Sequence, residues 1–311
     1  MNVLTTDLAH YSKTYDVFVE KSGKYASDRK WAEENFSAAV VHKLGENRPS
    51  DHTLRSLGVG SGSGNYDILI LRMLSQRFPR FNHVVVEPTR DFLEQFQSAA
   101  AKESSSGAWS ALGAADFEWH NETLQEYMAK KSGQSAKGSP QQFDFISAVH
   151  SLYYVEDLRL ALQFLYDSLA PGGIFLVTFK GDTSKCSIHG FRKEDHYNAA
   201  DAKQILSELD IPYTISEQRI ILDITSIFDQ GSAEGNLLLD FLTHFCHFRE
   251  TASKEMQDAV LTKYRERVRE YQEAMTDVEP SSSSGGCCNK ENDDEHALIE
   301  RLWENLIITK A

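Results

Sequence analysis

From Leu54 to Lys180 the chain alternates apolar runs with amphipathic stretches, and nothing else in the sequence restricts its fold as much. The runs occupy residues 54–59, 83–87, 116–119, 143–149 and 174–179, with helix candidates between them at 66–77, 90–101, 124–131 and 158–169. Strands that alternate with helices build parallel βαβ units. The runs lack strict in–out alternation, as expected of strands covered on both faces. Pro171-Gly172-Gly173 stops the last helix and leads directly into the strand at 174–179.

Both flanks add helices. Tyr11, Tyr15, Phe18 and Val19 recur at helical spacing, so the N-terminal stretch presents an aromatic stripe that packs on a core or covers a pocket. A second helix is expected over 28–44, ending near Gly45. Beyond Lys180 the pattern predicts a helix at 200–209, a long strand at 213–224, a helix at 236–248 and an amphipathic helix at 253–275. Residues 280–295, rich in Ser, Gly, Cys and then acid, read as a mobile loop. The chain returns at 305–309 as a final strand, antiparallel, closing the same sheet. The expected fold class is α/β: a doubly wound, mostly parallel, seven-stranded sheet with N-terminal and C-terminal helical additions.

Composition narrows the partners. The 311 residues carry 32 Lys and Arg against 46 Asp and Glu, a net charge of −14, which opposes binding to a phosphate backbone. With 41% hydrophobic residues the chain can bury a real core. No stretch approaches the ~18 apolar residues of a membrane helix, and the first twenty or so residues lack the apolar core of a signal peptide. Cys186, Cys246, Cys287 and Cys288 form no CxxC pair. The expectation is a cytoplasmic, monomeric protein with no metal, nucleic-acid or membrane partner.

The sharpest local signal is the glycine cluster Gly58-Val59-Gly60-Ser61-Gly62-Ser63-Gly64, directly after the first strand and before a helix. Glycines there permit positive φ and let a ligand approach bare backbone, and the helix offers free N–H groups. A phosphate-binding P-loop needs a Lys after its last glycine, and none follows. The dinucleotide pattern GxGxxG fails too, since Ser63 or Asn65 stands at the third glycine position. That failure disfavours a nicotinamide-dependent oxidoreductase. The spacing GxGxGxG leaves room for a sugar and an amino-acid moiety. At the end of the second strand, Glu87 can accept hydrogen bonds from both hydroxyls of a ribose; the competing reading is a solvent-facing strand-end acid. The fourth strand ends in a polar, aromatic loop holding His150, Tyr153 and Tyr154, where open α/β sheets bind ligands. His150 is the candidate catalytic side chain, although a lone histidine is more often structural, and both tyrosines can equally be core.

Taken in order, these segments resemble the class I S-adenosyl-L-methionine (SAM)-dependent methyltransferases. Residues 149–177, VHSLYYVEDLRLALQFLYDSLAPGGIFLV, look like the loop, helix and Pro-Gly-Gly strand of that superfamily. Within it the chain is most similar to the histamine N-methyltransferase family, through SLGVGSGSG, VVVEP, WHNET, LYYVED, LLLDFLTHFCHF and NLIITKA. The resemblance implies a SAM-binding core at 51–180, an N-terminal helical lid over a substrate pocket at 1–50, and the rest of the sheet with substrate-side helices at 181–311. It implies that Gly58 and Gly60 approach the methionine moiety, Glu87 holds the ribose, Thr123 borders the adenine, and Phe92 and Val149 contact the cofactor. It also implies that Tyr15, Tyr153, Tyr154 and Phe241 line the pocket of a small amine or imidazole acceptor, with His150 where the family has a glutamine and Asn305 where it has a substrate-binding asparagine.

The chain departs from the family at three places. Lys24 stands where a glutamate pairs with the substrate ammonium, and Glu20, one turn earlier on the same helix face, is its expected substitute. Phe92 replaces a glutamine, and the two tryptophans after strand five have no counterpart between Lys180 and Asn198. These departures leave two alternatives: a methyltransferase for another small acceptor, anionic if Lys24 faces it, or a SAM-binding protein without catalysis.

Overall fold

Seven strands form one sheet in the order β3-β2-β1-β4-β5-β7-β6 in a computed structural model that describes residues 1–105, 115–134, 142–181, 197–276 and 296–311. The strands are β1 (Thr53–Val59), β2 (Arg80–Val86), β3 (Ala115–His120), β4 (Phe143–Val149), β5 (Leu169–Lys180), β6 (Tyr213–Asp223) and β7 (Leu298–Thr309). β1, β2, β3, β4 and β5 pair in parallel, and β7 runs antiparallel to β5, as the returning C-terminal strand predicted. This is a doubly wound, mostly parallel sheet, as the strand and helix alternation predicted.

Apolar runs serve both faces. Along β5, Phe175 and Val177 join one buried cluster while Ile174 and Leu176 join the other. The first cluster takes its helical half from α6 (Leu124–Gln134), α7 (Leu158–Asp167) and α8 (Ala199–Glu208). The second takes it from the helical stretch through Trp31, Phe36 and Leu44, from α4 (Asn65–Ser75) and from α5 (Arg90–Ser105). A buried ion pair fixes the start of the sheet. The Asp144 carboxylate accepts from Arg48 Nε at 2.6 Å and from the Arg55 backbone N–H at 2.8 Å, and pairs with His52 Nε2 at 2.9 Å.

The described residues divide into two compact units. The larger holds the sheet core and its helices. The smaller holds α1 (Leu8–Ser22), α9 (Ala233–Thr243), α10 (Phe248–Thr251) and α11 (Lys254–Thr276). Asp7 caps α1 by accepting from the His10 N–H, and Gly23 ends it in a left-handed conformation at φ 58°. The chain then continues as α2 (Lys24–Trp31), a π-helical stretch over Ala32–His42 and α3 (Lys43–Asn47).

Three local expectations differ from the structure. The helix expected over 236–248 is broken: His244 and His247 turn left-handed at φ 60° and 51°, and the Asp240 carboxylate recaptures the backbone N–H groups of His247 and Phe248, both at 2.8 Å. Pro171-Gly172-Gly173 lies inside β5 rather than before it, because Gly172, at φ 69°, donates its N–H to Lys310 O at 2.9 Å and keeps the pairing across the kink. β7 is longer than the predicted 305–309. Its polar positions find partners: Glu304 pairs with Lys203 at 2.9 Å and Asn305 accepts from Thr178 at 2.6 Å. Among the described residues no helix is long and apolar enough to cross a membrane. The loop expected at 280–295, with Cys287 and Cys288, lies outside the described residues, as does Cys186.

Candidate functional site

Parallel pairing brings four strand ends to one edge. Val59 of β1 lies opposite Val86 of β2, which lies opposite His120 of β3, and Gly58 lies opposite Ser147 of β4. The four loops that follow these strands each carry a predicted site residue. Gly60 follows β1 at φ 63° and donates its N–H to Val86 O at 2.8 Å. A Cβ at Gly60 would fall 2.3 Å from the Ser151 Cβ, so the β1 and β4 loops approach each other only because this side chain is missing. Gly64 precedes α4 at φ 80°, and a Cβ there would strike the Phe96 ring at 2.1 Å. Around Gly62, by contrast, there is open space.

Glu87 is buried, not solvent-facing. Its Oε2 accepts from the Gly62 N–H at 2.8 Å and its Oε1 from the Thr89 N–H at 2.9 Å. One carboxylate therefore ties the glycine loop to the start of the β2 loop. Burial raises its pKa, and the two N–H donors partly oppose that shift. Each oxygen keeps a lone pair for a further donor. Asn121 braces the strand end by donating Nδ2 to Glu87 O and Pro88 O at 3.0 and 2.9 Å. Thr123 caps α6: its N–H and hydroxyl both donate to Glu126 Oε2, at 2.8 and 2.9 Å. Phe92, half-buried, opens α5.

Beneath the glycines lies a buried polar group that sequence reading missed. Asp67, in the first turn of α4, accepts from Ser147 at 3.1 Å, and its Oδ1 stands 3.9 Å from His83 Nε2. His83 Nδ1 pairs with the Ser56 hydroxyl at 2.8 Å. Burial pushes the Asp67 carboxyl up to about 6 and the His83 imidazole down to about 3. The only signals were an acid just after the glycine cluster and a histidine inside an apolar run.

At the end of β4, His150 turns left-handed at φ 56° and its Nδ1 pairs with the Tyr153 hydroxyl at 2.8 Å. The Trp303 ring meets the imidazole edge-on, with centroids 4.2 Å apart, and Lys180 Nζ lies 5.5 Å from the Tyr153 ring centroid. Trp303, hidden within β7, was not predicted here. Val149 is half-buried beside His150; the Tyr154 side chain lies outside the described residues. Asn305 is fully buried in the sheet. It is held between Thr178 at 2.6 Å and Gln218 at 3.5 Å, and Gln218 in turn donates to Asp28 at 2.9 Å.

In the smaller unit, Tyr15 and Phe241 do come together, with centroids 6.0 Å apart, around Phe18, whose ring stacks on Phe241 at 4.4 Å. Glu20 and Lys24 do not share a helix face, because left-handed Gly23 ends α1 between them. Glu20 is exposed and Lys24 is buried, 6% accessible, with its Nζ 5.6 Å from the Tyr25 ring centroid.

The model of a methyltransferase domain family matches residues 25–256. The chain belongs to this methyltransferase family. As a methyltransferase of this kind, it uses S-adenosyl-L-methionine. Histamine N-methyltransferase of Rattus norvegicus is 27% identical over 277 residues, covering 86% of this chain and 90% of that protein. The Xenopus tropicalis protein of the same name is 28% identical over 269 residues, covering 83% and 87%. Among solved structures, the YcgJ protein of a Bacillus is 13% identical with a TM-score of 0.49, covering 86% of this chain and 98% of that one.

The edge of the methyltransferase sheet suits its cofactor chemically. The Ser151 hydroxyl, beside Gly60, is buried and has no hydrogen-bond partner among the described residues. It is a ready partner for a polar ligand atom at a point where backbone replaces side chain.

Proposed function

We propose that this methyltransferase transfers its methyl group to a nitrogen of a small amine or imidazole, as a histamine N-methyltransferase-like enzyme. The similarity to histamine N-methyltransferases over 86% of the chain carries this reading. When bound, the cofactor supplies an electrophilic sulfonium methyl group. Gly58 and Gly60 let its methionine moiety lie against backbone, Glu87 accepts from the ribose hydroxyls, and Phe92, Thr123 and Val149 flank the nucleoside. A neutral imidazole nitrogen already has its lone pair at pH 7, since its pKa is ~6.5, so no strong base is needed. What the protein contributes is position and exclusion of water. Tyr153 orients His150, which accepts the ring proton that leaves after transfer. In the larger unit, Tyr153, Tyr154 and Asn305 belong to the acceptor side.

Mass spectrometry of products after incubation with SAM and an amine library, starting with histamine, tests the reading. Expected is a mass gain of one methyl group on an amine or imidazole; methylation of carboxylates or phenols alone rejects it. Glu87→Ala should weaken SAM binding by about 1.5–3 kcal/mol, the worth of a hydrogen bond to a charged group. Calorimetry reads this directly, and unchanged affinity would remove Glu87 from the cofactor site.

A second reading, in which the acceptor bears a negative charge, rests on Lys24 standing where the resembled family has a glutamate. If Lys24 attracts an anion, Lys24→Glu should raise kcat/KM for cationic amines and lower it for imidazole carboxylates. Equal activity of both proteins on both substrate classes would place Lys24 outside the acceptor site.

A further inference from the structure

Away from the cofactor residues, the smaller unit gathers three metal-ligating side chains from segments distant in sequence. His10 lies in the first turn of α1, Asp240 near the end of α9, and His247 caps α10. One ligand atom from each lies within 4.8 Å of the others. His10 Nε2 stands 2.7 Å from Asp240 Oδ2, and the two imidazole rings lie 4.6 Å apart at 32°. We propose that His10, Asp240 and His247 form a binding site for a divalent late first-row transition ion, with Zn2+ as its representative.

The chemistry of the three groups selects this class of ion. Two imidazoles and one carboxylate form the mixed nitrogen–oxygen set that Zn2+ and its neighbours take, with a position left for water. Ca2+ and Mg2+ want oxygen throughout. The carboxylate is held in place from behind: Asp240 is buried, Oδ1 accepts from the Phe248 N–H and Oδ2 from the His247 N–H, each at 2.8 Å. Backbone donors of this kind orient a ligand without using all of its lone pairs. His247 is exposed, so an ion can enter from solvent.

A plain His10–Asp240 ion pair would explain part of the arrangement, but it has no use for the His247 side chain. That residue is held left-handed, at φ 51°, in the turn that faces the pair. With the ion bound, the N-terminal helix α1 is tied to the α9–α10 corner, and this corner is where the chain departs from the continuous helix its sequence predicts.

The experiment uses the full-length, untagged protein after chelator treatment, titrated with Zn2+ by calorimetry and with Co2+ by visible absorption. The variants are His247→Asn, which tolerates the left-handed backbone, and His10→Gln, each checked for wild-type circular dichroism. Expected is one ion per chain, with Co2+ bands of nitrogen and oxygen coordination and no thiolate charge-transfer band. Each variant should bind at least ~10-fold more weakly, a cost that even outer-shell changes reach. Three results would overturn the proposal: no stoichiometric binding, binding lost in His10→Gln but unchanged in His247→Asn, or binding abolished only by blocking the thiols.

Discussion

Gly60→Val is expected to lower SAM affinity at least about 25-fold, with most of the fold intact. Gly60 sits at φ 63°, where a β-branched residue is strained by about 1–2 kcal/mol. Its new Cβ would lie 2.3 Å from that of Ser151, and relief requires the β1 and β4 loops to part. Overpacking of this kind costs about 1–3 kcal/mol. If the two loops must stay together to hold the cofactor, the sum of about 2–5 kcal/mol falls on binding, at 1.4 kcal/mol per tenfold. Gly62→Ala isolates the backbone cost, since Gly62 is also left-handed, at φ 56°, but has open space around it, so it should lose less affinity than Gly60→Val. Calorimetric titration with SAM, beside thermal unfolding of the same samples, separates lost binding from lost fold. Wild-type affinity in Gly60→Val would sink the assignment of this loop to the cofactor.

The second large effect concerns acid stability, where the pair under the glycine loop acts in opposite directions. His83 is held neutral down to about 3, against an ordinary 6.5, so the unfolded chain takes up a proton first. The stability it contributes is complete above pH 6.5 and is lost as pH falls towards 3, at up to about 1.4 kcal/mol per pH unit. Asp67 is protonated in the fold up to about 6, against an ordinary 3.8. Its contribution is complete below 3.8 and is lost as pH rises through 6. Between about pH 4 and 6 the two slopes offset each other. Asp67→Asn removes one of them, so from pH 6 to pH 4 this variant should lose about 2 kcal/mol more than wild type. His83→Leu should depart from wild type in the other sense, gaining relative stability on acidification. Urea unfolding across this range gives the curves. Parallel curves for the three proteins would mean that neither group is perturbed by burial.

Much of the cofactor half was legible because its signals are local. The apolar runs of β1, β2, β4 and β5 reflect strands covered on both faces, and the glycines after β1 sit where backbone must turn left-handed. Glu87 could be placed at a strand end, but not its grip on the Gly62 and Thr89 N–H groups, which needs two loops to meet. Trp303 went unassigned because its contact with His150 joins β7 to the distant end of β4. The expectation that Glu20 and Lys24 share a helix face failed on one residue, because Gly23 turns left-handed between them.

By itself, the order of residues determined which segments become strands, that the sheet is doubly wound, and which loops gather at its binding edge. These follow from local periodicity and from the short-range geometry of βαβ units. Only the tertiary structure decided that Asp67 and His83 are buried together, that His150 rests against Trp303, and that Asp240 recaptures the chain at His247 and faces His10. Each of those joins groups from separate elements, and the cost of taking a polar group out of water is offset only once its partner is in place, which no single segment encodes.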